Sequence, residues 1–434
     1  MRHYQSYTLH NYKNIKQIAT LSKEHIEAIE IVGRVLPFKT NNYVVDKLIN
    51  WNNIPEDPIF TLTFPRKEML STEHYNKVKE LVDSNNKEEL SKYIEQVRLG
   101  LNPNPSGQQY NIPEFNGVKL DGLQHKYRET VLLFPKQGQT CHAFCSFCFR
   151  WSQFSNIDDL KFSMKNNIQL YIDYIKSHKE ISDILLTGGD PMTMSYKLLS
   201  SYIEPFLKPE MEHIRTIRIG TKSLAYWPYR YFEDKDSDDI IALFEKIIKS
   251  GKHLSIMAHF NHYVELSTPE VKKAIKRIRS TGAQIRTQSP LLKHINDNPE
   301  VWSKMWQKQV ELGCIPYYMF VARETGAKHF FEIPLEQCQQ IFRNAYQKVS
   351  GIARTVRGPS MSSHSGKIQI LGVNEVAGEK VFMMRFIQGR NPDWVGRPFF
   401  AKYDPEATWI SQLKPAFDEE KFFYEGELES LVHI

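Results

Sequence analysis

The chain has 434 residues, 41% of them hydrophobic and 24% charged, with a formal net charge of +6. That profile fits a folded protein with a sizeable core and excludes fibrous and disordered classes. No apolar run approaches the ~20 residues that span a bilayer. The opening MRHYQSYTLHNYKN lacks a secretion signal's apolar stretch, and no dense Lys/Arg stripe interleaved with aromatics indicates nucleic acid. Five cysteines are too few for a disulfide framework, so the expectation is a cytoplasmic protein in a reducing compartment.

Residues 1–125 read as mainly helical, with proline-punctuated links. In KEELSKYIEQVRLGLNPNP, Leu90, Tyr93, Ile94 and Val97 follow the i, i+3, i+4, i+7 rule, and Gly100 and Pro103 supply stop signals. From residue 126 the pattern changes. Short apolar or β-branched runs occur at 130–134 (TVLLF), 182–188 (SDILLTG), 215–220 (RTIRIG), 253–259 (HLSIMAH), 284–289 (QIRTQS) and 315–322 (IPYYMFVA). Helix-like segments such as 267–282 lie between most of them. Six alternations of strand and helix predict an α/β fold with a parallel sheet and right-handed crossovers. The polar clusters TGGDP, GTKS, HFNH and TQSP follow the runs, at the strand ends where barrel enzymes place their chemistry. The fold class is therefore a partial (β/α)6 TIM-like barrel at 126–335. A C-terminal region at 336–434 closes with a hairpin around Gly378.

Three of the five cysteines, Cys141, Cys145 and Cys148, fall in QGQTCHAFCSFCFRW at 137–151. Thiolates that close in a tight loop converge on one metal centre. Zinc is one reading, with His142 or a distant residue as fourth ligand, although structural zinc usually brings two close pairs. An iron–sulfur cluster is the other. Such clusters normally take four cysteines, so three would leave one iron open for chemistry. Cys314 and Cys338 stand alone and read as core residues.

The C-x3-C-x2-C spacing, with Phe147 before the last cysteine, resembles the radical SAM signature. By that resemblance the cluster is 4Fe-4S, and its open iron binds S-adenosylmethionine, which reduction cleaves to a 5′-deoxyadenosyl radical. LLTGGDP resembles the second-strand motif, placing Gly188, Gly189 and Asp190 at the methionine end of that cofactor. HKYRETVLLF, RIGTKSLAYWPYR, MAHFNH, TQSPLLKHIND and PYYMFVARE follow in an order similar to the lysine 2,3-aminomutase family. This resemblance covers roughly residues 35–370 and implies that His259 and Gln288 help to hold S-adenosylmethionine. It also implies an external electron donor of the flavodoxin or ferredoxin type, a small amino acid as substrate, and a homo-oligomer.

The same family holds pyridoxal 5′-phosphate on a lysine in a proline- and glycine-rich loop after the barrel. VRGPSMSSHSGKIQILGV offers Lys367 there as the Schiff-base residue, though its serines and His364 depart from the family's glycine run. Lys126 and Tyr127 match the residues that bind the cofactor phosphate, Lys126 standing where the family has arginine. Arg150 matches the arginine that pairs with the substrate carboxylate. Lysine-specific members grip the distal ammonium with two aspartates, and here those positions read Arg323 and Arg357. The implied reaction is a 2,3-amino migration on an anionic amino acid, glutamate or aspartate first. Three alternatives stand beside it. One is L-lysine 2,3-aminomutase proper, and arginines paired with protein carboxylates such as Glu324 or Glu332 would leave the choice of substrate open. The others are a radical SAM enzyme modifying a lysine on a macromolecule, and a non-enzymatic metal-stabilised binding module.

Overall fold

The computed structural model describes residues 3–155, 161–164 and 168–432. Eleven strands form one sheet in strict chain order. β1 (Leu123–Tyr127) runs antiparallel to β2 (Thr130–Leu133). From β2 through β3 (Asp183–Leu186), β4 (Thr216–Thr221), β5 (His253–His259), β6 (Gln284–Leu291), β7 (Ile315–Val321) and β8 (Arg357–Ser362) every pairing is parallel. β9 (Gly366–Val376), β10 (Glu379–Gly389) and β11 (Pro398–Lys402) then return antiparallel. Strands β1 and β11 form the two ends of the order and do not pair with each other, so the barrel is partial.

Each parallel crossover carries a helix, and its sequence shows why. In Pro269–Arg279 the Thr268 side chain caps Val271 N–H, proline takes the first position, and Val271, Ala274, Ile275 and Ile278 are buried. The strands alternate accordingly. Ile184, Leu186, Ile217 and Ile219 are fully buried on the helix-covered face, whereas Asp183 and Arg218 meet on the other face, Nε to Oδ1 at 2.8 Å.

All six runs expected as barrel strands are strands, β5 to the residue. β1 and β8 are additions. LQHKY has no apolar run, and RGPSMS reads as loop because of its glycine, proline and serines. Gly358 is needed there by close approach to β7, since a Cβ would lie 2.7 Å from the Met319 carbonyl. Lys367 is therefore the second residue of β9, paired with Ser362 and Gln388, rather than a loop residue.

The three expected regions meet in one sheet and one core. The boundary at 125/126 falls inside β1, and the one at 335/336 falls at the start of the helix Leu335–Gln347. The N-terminal helices Lys23–Val35, Pro58–Thr63, Thr72–Asp83 and Lys87–Gly100 are present as expected. Their Val32 and Phe64 share one hydrophobic core with Ile256 of β5. Among the described residues no helix is long and apolar enough to cross a membrane.

Candidate active site at the strand ends

The cysteines lie in the loop after β2, gripped from both sides. From the N-terminal region, Phe144 N–H donates to the Lys39 carbonyl (2.7 Å) and Ser146 N–H to that of Leu62 (2.9 Å). Tyr4 O–H (2.7 Å) and Asn41 Nδ2–H (3.1 Å) both donate to the His142 carbonyl. From the barrel side, Asp190 N–H donates to the carbonyls of Gly138 (3.0 Å) and Thr140 (2.6 Å). Gly188 and Gly189 make this approach possible: Gly188 has φ 141°, and a Cβ on either residue would collide with Gln139 or the Thr140 backbone. The glycine pair is thus explained first by packing against the cysteine loop.

The three thiols sit close enough to feel one another. Burial pushes Cys141 well up and Cys148 up to about 12, and neighbouring thiols add to both shifts. Cys145 is also raised by burial, and its Sγ lies 3.5 Å from the Tyr226 hydroxyl. Among the described residues no three His, Cys, Asp or Glu side chains are drawn tightly enough around one point for a single metal ion.

The Asp190 carboxylate is buried and accepts from Thr221 Oγ1–H (2.7 Å), Met192 N–H (2.9 Å) and Lys222 N–H (2.9 Å). Burial raises its pKa to about 6, against those hydrogen bonds. Its side chain thus binds the turns of β3 and β4 together. Gln288 and His259 are register partners on β6 and β5 and meet side chain to side chain, Nε2 to Nε2 at 2.8 Å. Burial, reinforced by Lys222 and Arg150, drives His259 down to about 3, so it is neutral at physiological pH.

Arg150 and Arg323 converge on one aromatic ring. Their guanidinium carbons lie 5.0 and 4.3 Å from the Phe149 centroid. Arg150 Nη1–H donates to Thr187 Oγ1 (2.7 Å) and the Gly188 carbonyl (3.2 Å), while its Nε–H is buried with no partner. Burial brings each guanidinium down to about 10, and Arg323 further lowers Arg150. Neither forms an ion pair among the described residues. Glu332 instead pairs with Lys328 at 3.1 Å, and Glu324 approaches Arg323 only as a neighbouring charge. Arg357 is not brought to this pair. It is exposed, level with Tyr318 in the register and well below the strand ends, with Nη1–H to the Tyr318 hydroxyl at 3.4 Å. Of the two arginines expected at the distal end, Arg323 alone shares the Phe149 ring with Arg150.

A second cationic cluster surrounds Tyr127. Lys126 Nζ–H donates to the Ser363 carbonyl, and Arg390 Nε–H donates to the next one, His364 (2.9 Å). Lys367 Nζ lies 5.3 Å from the Tyr127 ring and 5.0 Å from that of Tyr318, donating to Gln388 Oε1 at 2.6 Å. The Tyr127 hydroxyl is buried beside Ser362 without a well-formed hydrogen bond. Burial, aided by Arg218, Arg323 and Arg357 and opposed by Asp183, lowers Lys367 to about 7. Sequence reasoning missed Arg390, because QGRNPDW carries no motif and only β10 returns it to β1 and β9.

No protein-family model matches the chain. A protein of Aquifex aeolicus (strain VF5) with the name "Putative L-lysine 2,3-aminomutase" is 32% identical over 414 residues, 95% of this chain and 97% of that one. A second protein of that organism and name is 29% identical, covering 83% of this chain and 84% of its own. The "Glutamate 2,3-aminomutase" of Clostridioides difficile (strain 630) is 27% identical over 73% of this chain and 63% of its own. Among solved structures, a radical SAM methyltransferase from Sphaerobacter thermophilus covers 55% of this chain and 68% of its own at 12% identity, with a TM-score of 0.37, too faint a likeness to bear on function.

Proposed function

This protein belongs to the lysine 2,3-aminomutase family of radical SAM isomerases, and on that premise we propose that it moves the amino group of an anionic α-amino acid, glutamate or aspartate, from Cα to Cβ. The observation that carries the reading is the pair of half-buried guanidiniums on Phe149, neither of them paired with a carboxylate among the described residues. A glutamate or aspartate substrate has two carboxylates to give them. The existence of a glutamate 2,3-aminomutase among the relatives is consistent with this.

The residues present fit the family's groups. Three half-buried thiols in one loop, two of them raised by the charge of neighbouring cysteines, suit a cluster that takes them as thiolates. Gln288 and a neutral His259 offer polar atoms at the strand ends, and the unneutralised cations around Tyr127 suit a phosphorylated cofactor on Lys367. When bound, cluster and S-adenosylmethionine supply the carbon radical, and pyridoxal phosphate supplies an imine nitrogen that an adjacent radical can attack.

The chain's own residues do the rest. Arg150 holds the α-carboxylate through its free Nε–H, relieving a buried donor whose orphaning costs about 1–3 kcal/mol. Because Nη1 is tied to Thr187 and Gly188, that anchor is fixed to the turn packed on the cysteine loop. Arg323 takes the distal carboxylate. Lys367, neutral above about pH 7, presents a free amine between two tyrosine rings.

That last point predicts a pH profile. A solvated lysine titrates near 10.4. With the folded-state value lowered to about 7, the amine loses its proton three pH units earlier. Capture of pyridoxal phosphate by cofactor-free protein is therefore expected to rise with pH through a midpoint near 7, measured by borohydride trapping on Lys367. A midpoint near 10 would contradict it.

Turnover tests the function itself. Anaerobically reconstituted protein, given both cofactors and a reductant, is expected to convert glutamate or aspartate to the β-amino acid. Formation of β-lysine with no acidic β-amino acid would sink the anionic-substrate reading and favour L-lysine 2,3-aminomutase proper.

A further inference from the structure

We propose that Arg390 is the guanidinium of a phosphate cradle completed by Lys126 and Tyr127, an assignment that rests on the reading of Lys367 as the anchor of pyridoxal phosphate. The geometry begins with the turn between β8 and β9. Its successive carbonyls, Ser363 and His364, accept from Lys126 Nζ–H and Arg390 Nε–H, so the two cations are clamped side by side. Arg390 Nη2–H also donates to Asn111 Oδ1 at 2.5 Å, and its own N–H donates to the Ser365 carbonyl at 3.0 Å, which fixes the orientation of the fork. The Lys126 ammonium lies 5.4 Å from the Tyr127 ring.

What is missing is the counter-charge. Neither Lys126 nor Arg390 has a carboxylate partner among the described residues. All their acceptors are carbonyls, an amide oxygen and, for Arg390, the His364 ring at 3.4 Å. Two cations held together in a half-buried site repel each other and await an anion. Burial, followed by Arg390, Arg323 and Lys367, drives Lys126 well below its ordinary value. The buried Tyr127 hydroxyl supplies a third donor beside them. An ammonium, a guanidinium and a phenol within electrostatic reach of one another match a dianionic phosphate ester. With Nε–H and Nη2–H committed to His364 and Asn111, the Nη1 end of the Arg390 guanidinium is the part left to meet a phosphate oxygen. Lys126 stands where the family has arginine, and Arg390 brings the fork back from the far end of the chain.

The test compares two aldehydes that differ only in the phosphate. Full-length protein carrying its cluster is titrated with pyridoxal phosphate and with pyridoxal, and adducts at Lys367 are trapped with borohydride and counted by peptide mass. Arg390→Gln is expected to weaken pyridoxal phosphate binding roughly 10–100-fold, the loss of one charge-assisted pair. Pyridoxal binding should hardly change, and Arg390→Lys should fall between the two. Inorganic phosphate should compete with the phosphorylated aldehyde in the wild type and much less in Arg390→Gln. Equal losses for both aldehydes would make Arg390 a merely structural residue, and no loss for either would remove it from the cradle. Wild-type protein that forms no adduct with pyridoxal phosphate at Lys367 would overturn the cofactor reading and the cradle with it. If Arg390→Gln loses its cluster or its circular dichroism signature, the decision passes to Arg390→Lys. There, pyridoxal phosphate binding weakened more than pyridoxal binding supports the cradle, and unchanged discrimination overturns it.

Discussion

Arg323→Asp is expected to reverse the charge preference of the enzyme. Two unit charges ~4 Å apart interact by about 4 kcal/mol at an effective dielectric of 20. In the wild type that interaction favours a distal carboxylate and opposes a distal ammonium. Aspartate at this position changes both signs. Even at a quarter of that strength, the ratio of kcat/KM for glutamate to that for lysine should fall by roughly three orders of magnitude. Arg323 also lies within electrostatic reach of Lys126 and Lys367. Cofactor binding can therefore change too, and the ratio between substrates, measured on one enzyme preparation, separates specificity from cofactor loss. An unchanged ratio would place Arg323 outside the substrate pocket. Arg357→Asp is the control: it is exposed, level with Tyr318 and likewise within electrostatic reach of Lys367, so it shares any effect on cofactor binding but should leave the ratio nearly unchanged.

The second large effect concerns the cysteine loop. Cys148→Ser is expected to abolish turnover, with loss of the brown colour and of bound iron. A serine oxygen is a poor replacement for a thiolate on iron, and the remaining two thiols cannot define three corners of a cluster. Cys314→Ser and Cys338→Ser should retain iron, because both residues are buried singly in the core, Cys338 Sγ–H donating to the Ile333 carbonyl at 3.4 Å. Iron content and absorbance of anaerobically purified variants check this. Iron retained in Cys148→Ser, or lost in Cys314→Ser, would mean that the cluster is not held by the C-x3-C-x2-C loop.

Particular elements show how far the chain could be read in one dimension. HLSIMAH is β5 to the residue because a buried parallel strand leaves a continuous apolar run. LQHKY and RGPSMS are also strands, yet their pairing is set by neighbours rather than by their own pattern. The bounds between the three regions have a related origin. Composition changes near residues 125 and 335, but the sheet and the core pass through both points.

By itself the sequence determined what is local: the spacing of three thiols, the alternation that makes the barrel strands, and the capped helix faces that cover them. Each depends on residues within a few positions, where covalent geometry alone sets the distances. The tertiary structure decided what depends on charge across space. It joined Arg150 to Arg323 on Phe149, left Arg357 aside, and gathered Lys126, Lys367 and Arg390 around Tyr127. Whether a cation is neutralised depends on every charge around it, and those neighbours come from strands far apart in the chain.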